Sequence, residues 1–340
     1  MNQRRVYRIS KAGNIKRLRL REESIDDPEE NQVQVEVKAI GLNFADIFAI
    51  KGLYSASPKG SFIPGLEFCG TITMAGTRVM GLKPGDHVMG VTRFGGYATK
   101  VNIEEDYISP LPDQWSFEQG AAFLVQALTA YYGLYYLGDL QENQTVLIHS
   151  AAGGVGLLAN RMAKRKGAYT IGTIGNKQKI ALLKEEGFDD FIVRDKNFKV
   201  KLEECLKGRE LNIVMECIGG KVFQAGFEML APQGRIVNYG AAQYGDTGNS
   251  PGWLRLLWLY LNRPKIDPQA MTNRNVGILG FNLIWLYDKK DQARRLMEEL
   301  AMMSLPPPIV GHQFGFNTLP EALYLFQSGQ TTGKVIILTE

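Results

Sequence analysis

The sequence predicts an α/β protein with a β-rich first domain and a second domain built on a doubly wound parallel sheet. Three observations lead to this prediction. Short period-two strands fill the first third of the chain, strands and helices alternate through the middle, and a glycine-rich turn lies directly between a strand and a helix. The length of 340 residues exceeds what one hydrophobic core usually supports, which favours two domains.

The composition is that of a globular protein, with 45% hydrophobic and 22% charged residues. The net charge of +4 comes from 39 basic and 35 acidic residues spread along the chain, which is too diffuse for nucleic-acid binding. Cys69, Cys205 and Cys217 follow no disulfide or metal spacing, so we expect buried free thiols. The amino terminus lacks the apolar stretch of a signal peptide, which predicts a cytoplasmic protein.

The first part of the chain is predicted to form short strands and turns, as in the alternating run Val33–Val37. Ser116–Gln119 is a capping box followed by apolar residues at helical spacing, so a helix begins there and the domain boundary lies nearby. The end of the chain returns to β character, with a helix over 319–327 and a strand over 334–338. The predicted domains are 1–124 with 284–340, and 125–283.

The middle of the chain alternates strands and helices. Its strands are nearly continuous apolar runs, typical of a parallel sheet covered by helices on both faces. The last strand is apolar and is predicted to lie at the edge of the sheet, so we expect it to pair with its copy in a homodimer. The predicted strands are 145–149, 169–173, 190–193, 212–215, 235–238 and 276–281, and the predicted helices are 155–166, 177–186, 200–207 and 222–230.

The glycine-rich turn Ser150–Gly156 is the strongest functional signal. Glycines at 153, 154 and 156, with Val155 between the last two, follow an apolar strand and open a helix. In that position a tight turn brings backbone N–H groups against a pyrophosphate, as in Rossmann folds. We therefore expect Gly153, Gly154, Val155 and Gly156 to bind a dinucleotide.

The second strand of the nucleotide domain indicates which dinucleotide binds. NAD-binding versions carry an acidic residue at its end, which accepts hydrogen bonds from the ribose 2′-OH. Here the chain reads Thr173–Lys179 and has no carboxylate. Amide and cationic groups suit a 2′-phosphate, so we predict NADPH, held by Asn176, Lys179 and Arg194. We interpret Lys177 as a solvated surface charge.

Several motifs resemble the quinone oxidoreductase, or zeta-crystallin, family of medium-chain dehydrogenases and reductases. The resemblance spans nearly the whole chain and implies a GroES-like first domain and a Rossmann second domain. One further segment pair, 263–268 with 280–283, is most similar to the vesicle amine transport branch of that family. The motifs are Gly41–Asp46 with Gly52–Tyr54, Gln126–Tyr131, His149–Gly156 and Thr331–Val335.

Zinc-dependent relatives supply a cysteine where this chain has Asn43 and a histidine where it has Leu66. A catalytic zinc would lack the sulfur and nitrogen donors it needs, so we predict metal-free chemistry. His87 and His149 are interpreted as packing or turn residues, and His312 as part of a proline-glycine turn.

The resemblance also implies where the site residues lie. Asn43, Asp46 and Tyr54 would lie at the floor of the substrate cleft, where Asn43 and Tyr54 can donate hydrogen bonds to a carbonyl oxygen. Asn43 can alternatively cap a turn, Asp46 can begin a helix around 47–50, and Tyr54 can be a packing residue. Gln126 and Thr129 would lie near the nicotinamide. Further cofactor contacts are expected from Cys217, Gly240, Phe281 and Asn282.

The function implied by the resemblance is NADPH-dependent reduction of a quinone or a similar conjugated carbonyl. Without a metal, hydride transfer depends on positioning and on hydrogen-bond donors. Two alternatives stay open: an enone or alkenal reductase, and an NADPH-binding interaction protein with little turnover. The apolar segment Trp253–Leu261, too short to span a bilayer, is expected to pack as a helix over the cleft or against a second subunit. We also hypothesise that it forms an apolar entrance for a lipophilic substrate or a membrane-surface contact.

Overall fold

The computed structural model describes residues 2–340, which divide into two compact units. The first unit runs to Val125 and includes Asp246–Pro251 and Leu283–Glu340, and the second consists of Gln126–Gly245 and Gly252–Asn282. Asn249 anchors the 246–251 segment to the first unit. Its backbone oxygen accepts the Ile15 N–H at 2.9 Å, and its side-chain oxygen accepts the Tyr324 hydroxyl at 2.7 Å.

The first unit contains strands and helices from the beginning of the chain. The predicted capping box forms, because Ser116 accepts the backbone N–H of Gln119 and the Gln119 side chain accepts that of Ser116. The strands are β1 Gln3–Ile9, β2 Leu18–Ser24, β3 Gln32–Gly41, β4 Glu67–Ala75, β5 His87–Val91, β6 Lys100–Glu104 and β7 Ile108–Pro110. The helices are α1 Phe44–Lys51 and α2 Phe117–Ala121. Helix α3 Leu124–Tyr131 begins at the end of this unit, lies mostly in the second unit and continues there into a π-helix over Tyr132–Leu137.

The second unit is a six-stranded sheet whose neighbouring strands all pair in parallel. Its order, β10-β9-β8-β11-β12-β13, reverses direction between β8 and β11, as in a doubly wound nucleotide-binding sheet. The predicted fold class is confirmed. The strands are β8 Thr145–Ile148, β9 Tyr169–Ile174, β10 Asp190–Val193, β11 Leu211–Glu216, β12 Leu230–Asn238 and β13 Gly277–Gly280, and the helices are α4 Gly154–Arg165, α5 Ile180–Glu185, α6 Phe198–Leu206, α7 Gly220–Met229, α8 Trp253–Leu261 and α9 Pro268–Arg274.

The end of the chain completes the sheet of the first unit, with α10 Lys290–Met302, β14 Val310–Gly315, α11 Leu319–Gln327 and β15 Lys334–Leu338. The order of that sheet is β14-β15-β3-β4-β5-β7, with β6 paired to β3. His312 lies in β14, where it pairs with Val335, so placing it in a turn was wrong. The local proline and glycine pattern concealed a strand that only the partner β15 stabilises.

Helix α8 presents apolar side chains to solvent. Trp253, Leu254, Leu257, Trp258 and Leu261 share one helical face, and each is at least 55% exposed. Arg255 holds the helix to its own unit by donating to the backbone oxygens of Gln243 at 2.7 Å and Gly245 at 3.1 Å. A surface helix usually places its apolar face inward, so the arrangement in α8 is inverted.

The sequence predicted a packing partner for α8 and for the edge strand β13, both in the second unit. Across α8 no side chain is buried, although we expected the helix to pack over the cleft or against a second subunit. Strand β13 lies at the edge of the sheet, and we propose that it pairs with a second copy, which light scattering would detect as a dimer. Within residues 2–340, no helix is both long enough and apolar enough to cross a membrane.

We predict that the double substitution Leu254→Gln and Trp258→Gln changes the free energy of unfolding by less than about 0.5 kcal/mol, because both side chains face solvent. If α8 contacts membrane surfaces, the same change abolishes flotation with anionic liposomes. Met302→Gln, at an exposed apolar residue of α10, is the control and leaves flotation intact. Wild-type protein that stays wholly in the soluble fraction would eliminate the membrane contact.

Candidate functional site

The glycine-rich turn links β8 to α4. Ser150 adopts a left-handed conformation with φ of 51°, and the Gly153 N–H donates to its backbone oxygen at 2.9 Å. Helix α4 then begins at Gly154 with Gly153 at its N-cap, and among the described residues no side chain caps its first turn. A Cβ on Gly156 would lie 2.6 Å from Cα of Ala151, so only glycine lets the helix approach the turn. The first N–H groups of α4 therefore form a backbone site suited to an anion.

Gln126 lies against this turn. It is buried on α3, and a Cβ on Gly154 would lie 1.7 Å from its Oε1 atom. Glycine at 154 therefore makes room for the Gln126 amide beside the helix N-terminus. Thr129, one turn further along α3, is also buried.

Cationic groups lie together after β9 and β10. Arg194 donates through Nη1 to Thr173 Oγ1 at 2.9 Å, and a Cβ on Gly175 would lie 3.4 Å from its Nη2. Burial lowers the pKa of Lys179, and the nearby positive charge of Arg194 lowers it further. Lys179 and Arg194 are half-buried, whereas Lys177 is exposed. An anion bound between the two half-buried cations would relieve their repulsion.

Asn176 is engaged locally. Its side-chain oxygen accepts the Gln178 N–H at 3.0 Å, and its Nδ2 donates to the Gln178 side chain at 3.1 Å. Asn176 comes shortly before Lys179 in the chain, and its side-chain amide caps the 3-10 turn that begins at Lys177.

Cys217 and Gly240 meet next to the glycine-rich turn. The Cys217 thiol lies 3.5 Å from Oγ of Ser150, and a Cβ on Gly240 would lie 3.2 Å from Cβ of Cys217. Burial raises the pKa of the Cys217 thiol, so it stays protonated near neutral pH. Cys217 and Cys205 are only half-buried, in contrast to the buried thiols expected, because each lies close to the end of its element.

Phe281 and Asn282 follow the edge strand β13. The Phe281 N–H donates to the backbone oxygen of Asn238 at 3.0 Å, and its ring packs edge-on against Tyr132 at 5.1 Å between centroids. Both residues are half-buried. They lie at the carboxyl end of the sheet, the edge where doubly wound folds bind their ligands.

His149 is not the simple packing or turn residue expected from the sequence. It is fully buried, its Nδ1 lies 2.7 Å from Thr173 Oγ1, and its Nε2 lies 3.1 Å from Glu216 Oε2. Sequence reasoning did not identify Thr173 or Glu216. The available signal was a polar residue at the carboxyl end of each apolar strand, which is where doubly wound sheets place functional groups.

The first unit contains a buried polar network around Asn43. Its Nδ2 donates to Glu67 Oε1 at 2.9 Å and to the Gly41 backbone oxygen at 3.3 Å, and its Oδ1 accepts from Lys334 at 2.8 Å. Lys334 also forms an ion pair with Glu67, and both side chains are 1% exposed. The amide of Asn43 is therefore fully engaged inside the protein, so its expected donation to a substrate oxygen would require breaking this network.

Asp46 belongs to the same network. Helix α1 begins at Phe44, earlier than expected, and Asp46 Oδ2 accepts the Asn43 N–H at 2.8 Å and the Tyr97 hydroxyl at 3.0 Å. Burial raises the pKa of Asp46 to about 7, although both hydrogen bonds and the charge of Lys334 oppose this. Tyr54 is half-buried after α1 and packs against the hydrophobic core.

Sequence reasoning also missed Lys334, Glu67 and Tyr97. The signal for the first two was an ionisable residue inside an apolar strand, since such groups are rarely buried unless paired. Lys334 begins β15 and Glu67 begins β4. Neither strand reveals its partner, because the two residues are 267 positions apart.

The residues at Asn43 and Leu66 do not fit a zinc ion. Zinc requires thiolate, imidazole or carboxylate ligands, whereas this position presents an amide and an ammonium group beside a single carboxylate. Over the described range 2–340, no three histidine, cysteine, aspartate or glutamate side chains are arranged to hold a metal ion.

Comparisons with known proteins match both parts of the chain. The alcohol dehydrogenase GroES-like domain family matches residues 29–113, and the zinc-binding dehydrogenase family matches residues 154–285. Quinone oxidoreductase 1 of Escherichia coli is 34% identical over 74% of this chain and 77% of its own length.

Two further proteins are similar over nearly the whole chain. The synaptic vesicle membrane protein VAT-1 homolog of Danio rerio is 30% identical over 91% of this chain, which spans 64% of that relative's length. The crystal structure of Escherichia coli quinone oxidoreductase complexed with NADPH is similar with a TM-score of 0.85 and 26% identity, covering 99% of this chain and 100% of that one.

We predict that Asp46→Asn flattens the pH dependence of stability. Because the pKa rises from 3.8 to about 7 on folding, the folded protein binds more protons in that window, and stability falls as pH rises through it. The difference corresponds to about 4 kcal/mol. Urea unfolding of wild type and variant between pH 4.5 and 8 measures the slope. Asp291→Asn, at a 96% exposed side chain, is the control, and equal slopes for wild type and D46N would contradict the prediction.

We predict that Lys334→Met lowers the free energy of unfolding by about 3–5 kcal/mol, because it leaves the Glu67 carboxylate buried without its cation. Adding Glu67→Gln should restore most of the loss, since the unpaired charge is then removed. Lys38→Met, which breaks solvent-accessible pairs with Glu36 and Glu340, serves as the control and costs about 1 kcal/mol or less. If Lys334→Met alone is as stable as wild type, the buried Lys334–Glu67 pair contributes nothing to the free energy of unfolding.

Proposed function

This chain belongs to the quinone oxidoreductase family of medium-chain dehydrogenases and reductases, and on that premise we propose that it reduces a quinone or a similar conjugated carbonyl with NADPH. The observation that carries the cofactor assignment is the pair of half-buried cations, Lys179 and Arg194, after β9 and β10, where NAD-binding sheets carry a carboxylate. NADPH supplies a hydride, and a proton from water completes the reduction of a quinone to a hydroquinone.

The glycine-rich turn is our proposed pyrophosphate site. Gly153, Gly154, Val155 and Gly156 supply backbone N–H groups at the first turn of α4, and the helix dipole favours a negative charge there. The glycines also keep the position free of side-chain atoms, as the close approach of Gln126 to Gly154 illustrates. Gln126 and Thr129 are proposed to border the nicotinamide, and Cys217, Gly240, Phe281 and Asn282 to border the rest of the cofactor.

The 2′-phosphate is assigned to Lys179 and Arg194. A guanidinium group suits a phosphate because its planar donors match two oxygens at once, and the Lys179 ammonium adds a point charge. Asn176, whose amide is engaged with Gln178, is retained as a weaker contact through the backbone of the same turn.

The substrate side of the proposal rests on Asn43, Asp46 and Tyr54. Because Lys334 and Glu67 engage both ends of the Asn43 amide, we assign Asn43 and Asp46 to holding the start of α1 in place. The Tyr54 hydroxyl is then our proposed hydrogen-bond donor to a substrate carbonyl. The small-molecule substrate needs no strong acid, since a quinone is already electron-poor.

We predict that NADPH supports turnover better than NADH across a panel of quinones, enones and alkenals. Arg194→Gln should raise the Kd for NADPH about tenfold or more and leave the Kd for NADH unchanged, because a charged phosphate contact is lost. Lys177→Gln, on the same turn but exposed, is the matched control and changes neither Kd. Steady-state kinetics measures the turnover with each cofactor, and calorimetry measures the two Kd values.

Three outcomes would change the proposal. Equal use of NADH and NADPH would contradict the assignment of Lys179 and Arg194. Turnover of enones or alkenals without quinones would favour the enone reductase alternative. NADPH binding without oxidation by any panel member would favour an interaction protein that binds the cofactor without significant turnover.

A further inference from the structure

A chain of polar side chains joins the carboxyl ends of four neighbouring strands in the second unit. Arg194 follows β10, Thr173 lies near the end of β9, His149 follows β8 and Glu216 ends β11. The Arg194 Nη1 to Thr173 Oγ1 distance is 2.9 Å, the Thr173 Oγ1 to His149 Nδ1 distance is 2.7 Å, and the His149 Nε2 to Glu216 Oε2 distance is 3.1 Å. Thr173, His149 and Glu216 are fully buried.

The Thr173 hydroxyl connects Arg194 to His149. A guanidinium only donates, so Thr173 Oγ1 accepts from Arg194. The same oxygen shares a hydrogen bond of 2.7 Å with Nδ1 of His149. On the other side of the imidazole ring, Nε2 lies 3.1 Å from Glu216 Oε2.

Glu216 is the fixed end of this chain. Its Oε1 accepts the backbone N–H groups of Ile218 at 2.5 Å and Gly219 at 2.7 Å. Burial acts to raise the pKa of Glu216, but His149 and these two N–H groups hold it below its ordinary value, so the carboxylate is ionised at neutral pH. The anchor lies on β11, next to β8, where the strand order of the sheet reverses.

Arg194 is the end that faces the proposed ligand. Only Nη1 is used by Thr173, and Nη2 is directed to the space above Gly175, the glycine that precedes Asn176. A free arginine side chain loses rotamer entropy when it binds a ligand. Fixing one nitrogen in advance reduces that loss and sets the plane of the guanidinium.

We propose that Thr173, His149 and Glu216 are positioning residues that orient the Arg194 guanidinium for the 2′-phosphate of NADPH and thereby set the preference for NADPH over NADH. This inference rests on the proposed function, because it assigns Arg194 to that phosphate. It adds that the preference depends on three buried side chains that do not themselves touch the cofactor phosphate.

The test uses Thr173→Val, which removes the hydroxyl and keeps the shape, and Thr173→Ser, which retains the hydroxyl. Thr170→Val is the matched control, since Thr170 is also fully buried on β9 but its hydroxyl lies 3.3 Å from Asp189 instead. The full-length protein is titrated with 2′,5′-ADP and with 5′-AMP, two probes that differ only in the 2′-phosphate.

We expect Thr173→Val to weaken 2′,5′-ADP binding about fivefold to tenfold and to change 5′-AMP binding by less than about twofold. Thr173→Ser should bind both probes like wild type, and Thr170→Val should leave their ratio unchanged. In kinetics, T173V should raise KM for NADPH without changing kcat or KM for NADH. If T173V does not fold, Thr173→Ala removes the same hydroxyl without adding an apolar group.

The outcomes separate this inference from the proposed function. An unchanged probe ratio in T173V, or equal weakening of both probes, would overturn the positioning role while the NADPH assignment stands. Wild-type protein that does not distinguish 2′,5′-ADP from 5′-AMP would overturn the NADPH assignment and the positioning role together.

Discussion

The parallel pairing of β8 with β9 on one side and β11 on the other sets the geometry of the nucleotide site. The strand order reverses between β8 and β11, so the loops after these strands diverge and leave a crevice at the carboxyl edge. The glycine-rich turn follows β8, and the same pairing brings His149, Thr173 and Glu216 together beneath it. Backbone pairing thus positions both the anion site and the buried side chains.

Each unit buries a cluster of ionisable side chains. Burying a charge costs several kcal/mol unless another charge and hydrogen bonds compensate, so the fold must supply partners from distant strands. Lys334 meets Glu67 and Asn43 in the first unit, and Glu216 meets His149 and two backbone N–H groups in the second. In the first unit, this pairing places a cation beside the position where zinc-dependent relatives bind their metal.

Two features of the second unit do not stabilise its fold: an exposed apolar helix face and a pair of neighbouring cations. The apolar face of α8 gains nothing from burial within its own unit, and the proximity of Lys179 and Arg194 is electrostatically unfavourable. Proteins tolerate such local conflicts mainly where a ligand or partner resolves them. The cation pair accounts for the selectivity that we propose for the cofactor site, and the exposed apolar face of α8 is the surface for which we proposed a membrane contact.

The sequence by itself determined the fold class, the family and the glycine-rich turn, because these depend on short-range patterns such as apolar periodicity, capping residues and local motifs. The resemblance drawn from those motifs is confirmed by the relatives the chain matches. Only the tertiary structure decided that His149 pairs with Glu216, that His312 lies in a strand and that Lys334 engages Asn43. The burial and the partner of a polar side chain depend on which strands pair, and these strands lie far apart in the chain. Local sequence patterns do not specify that pairing.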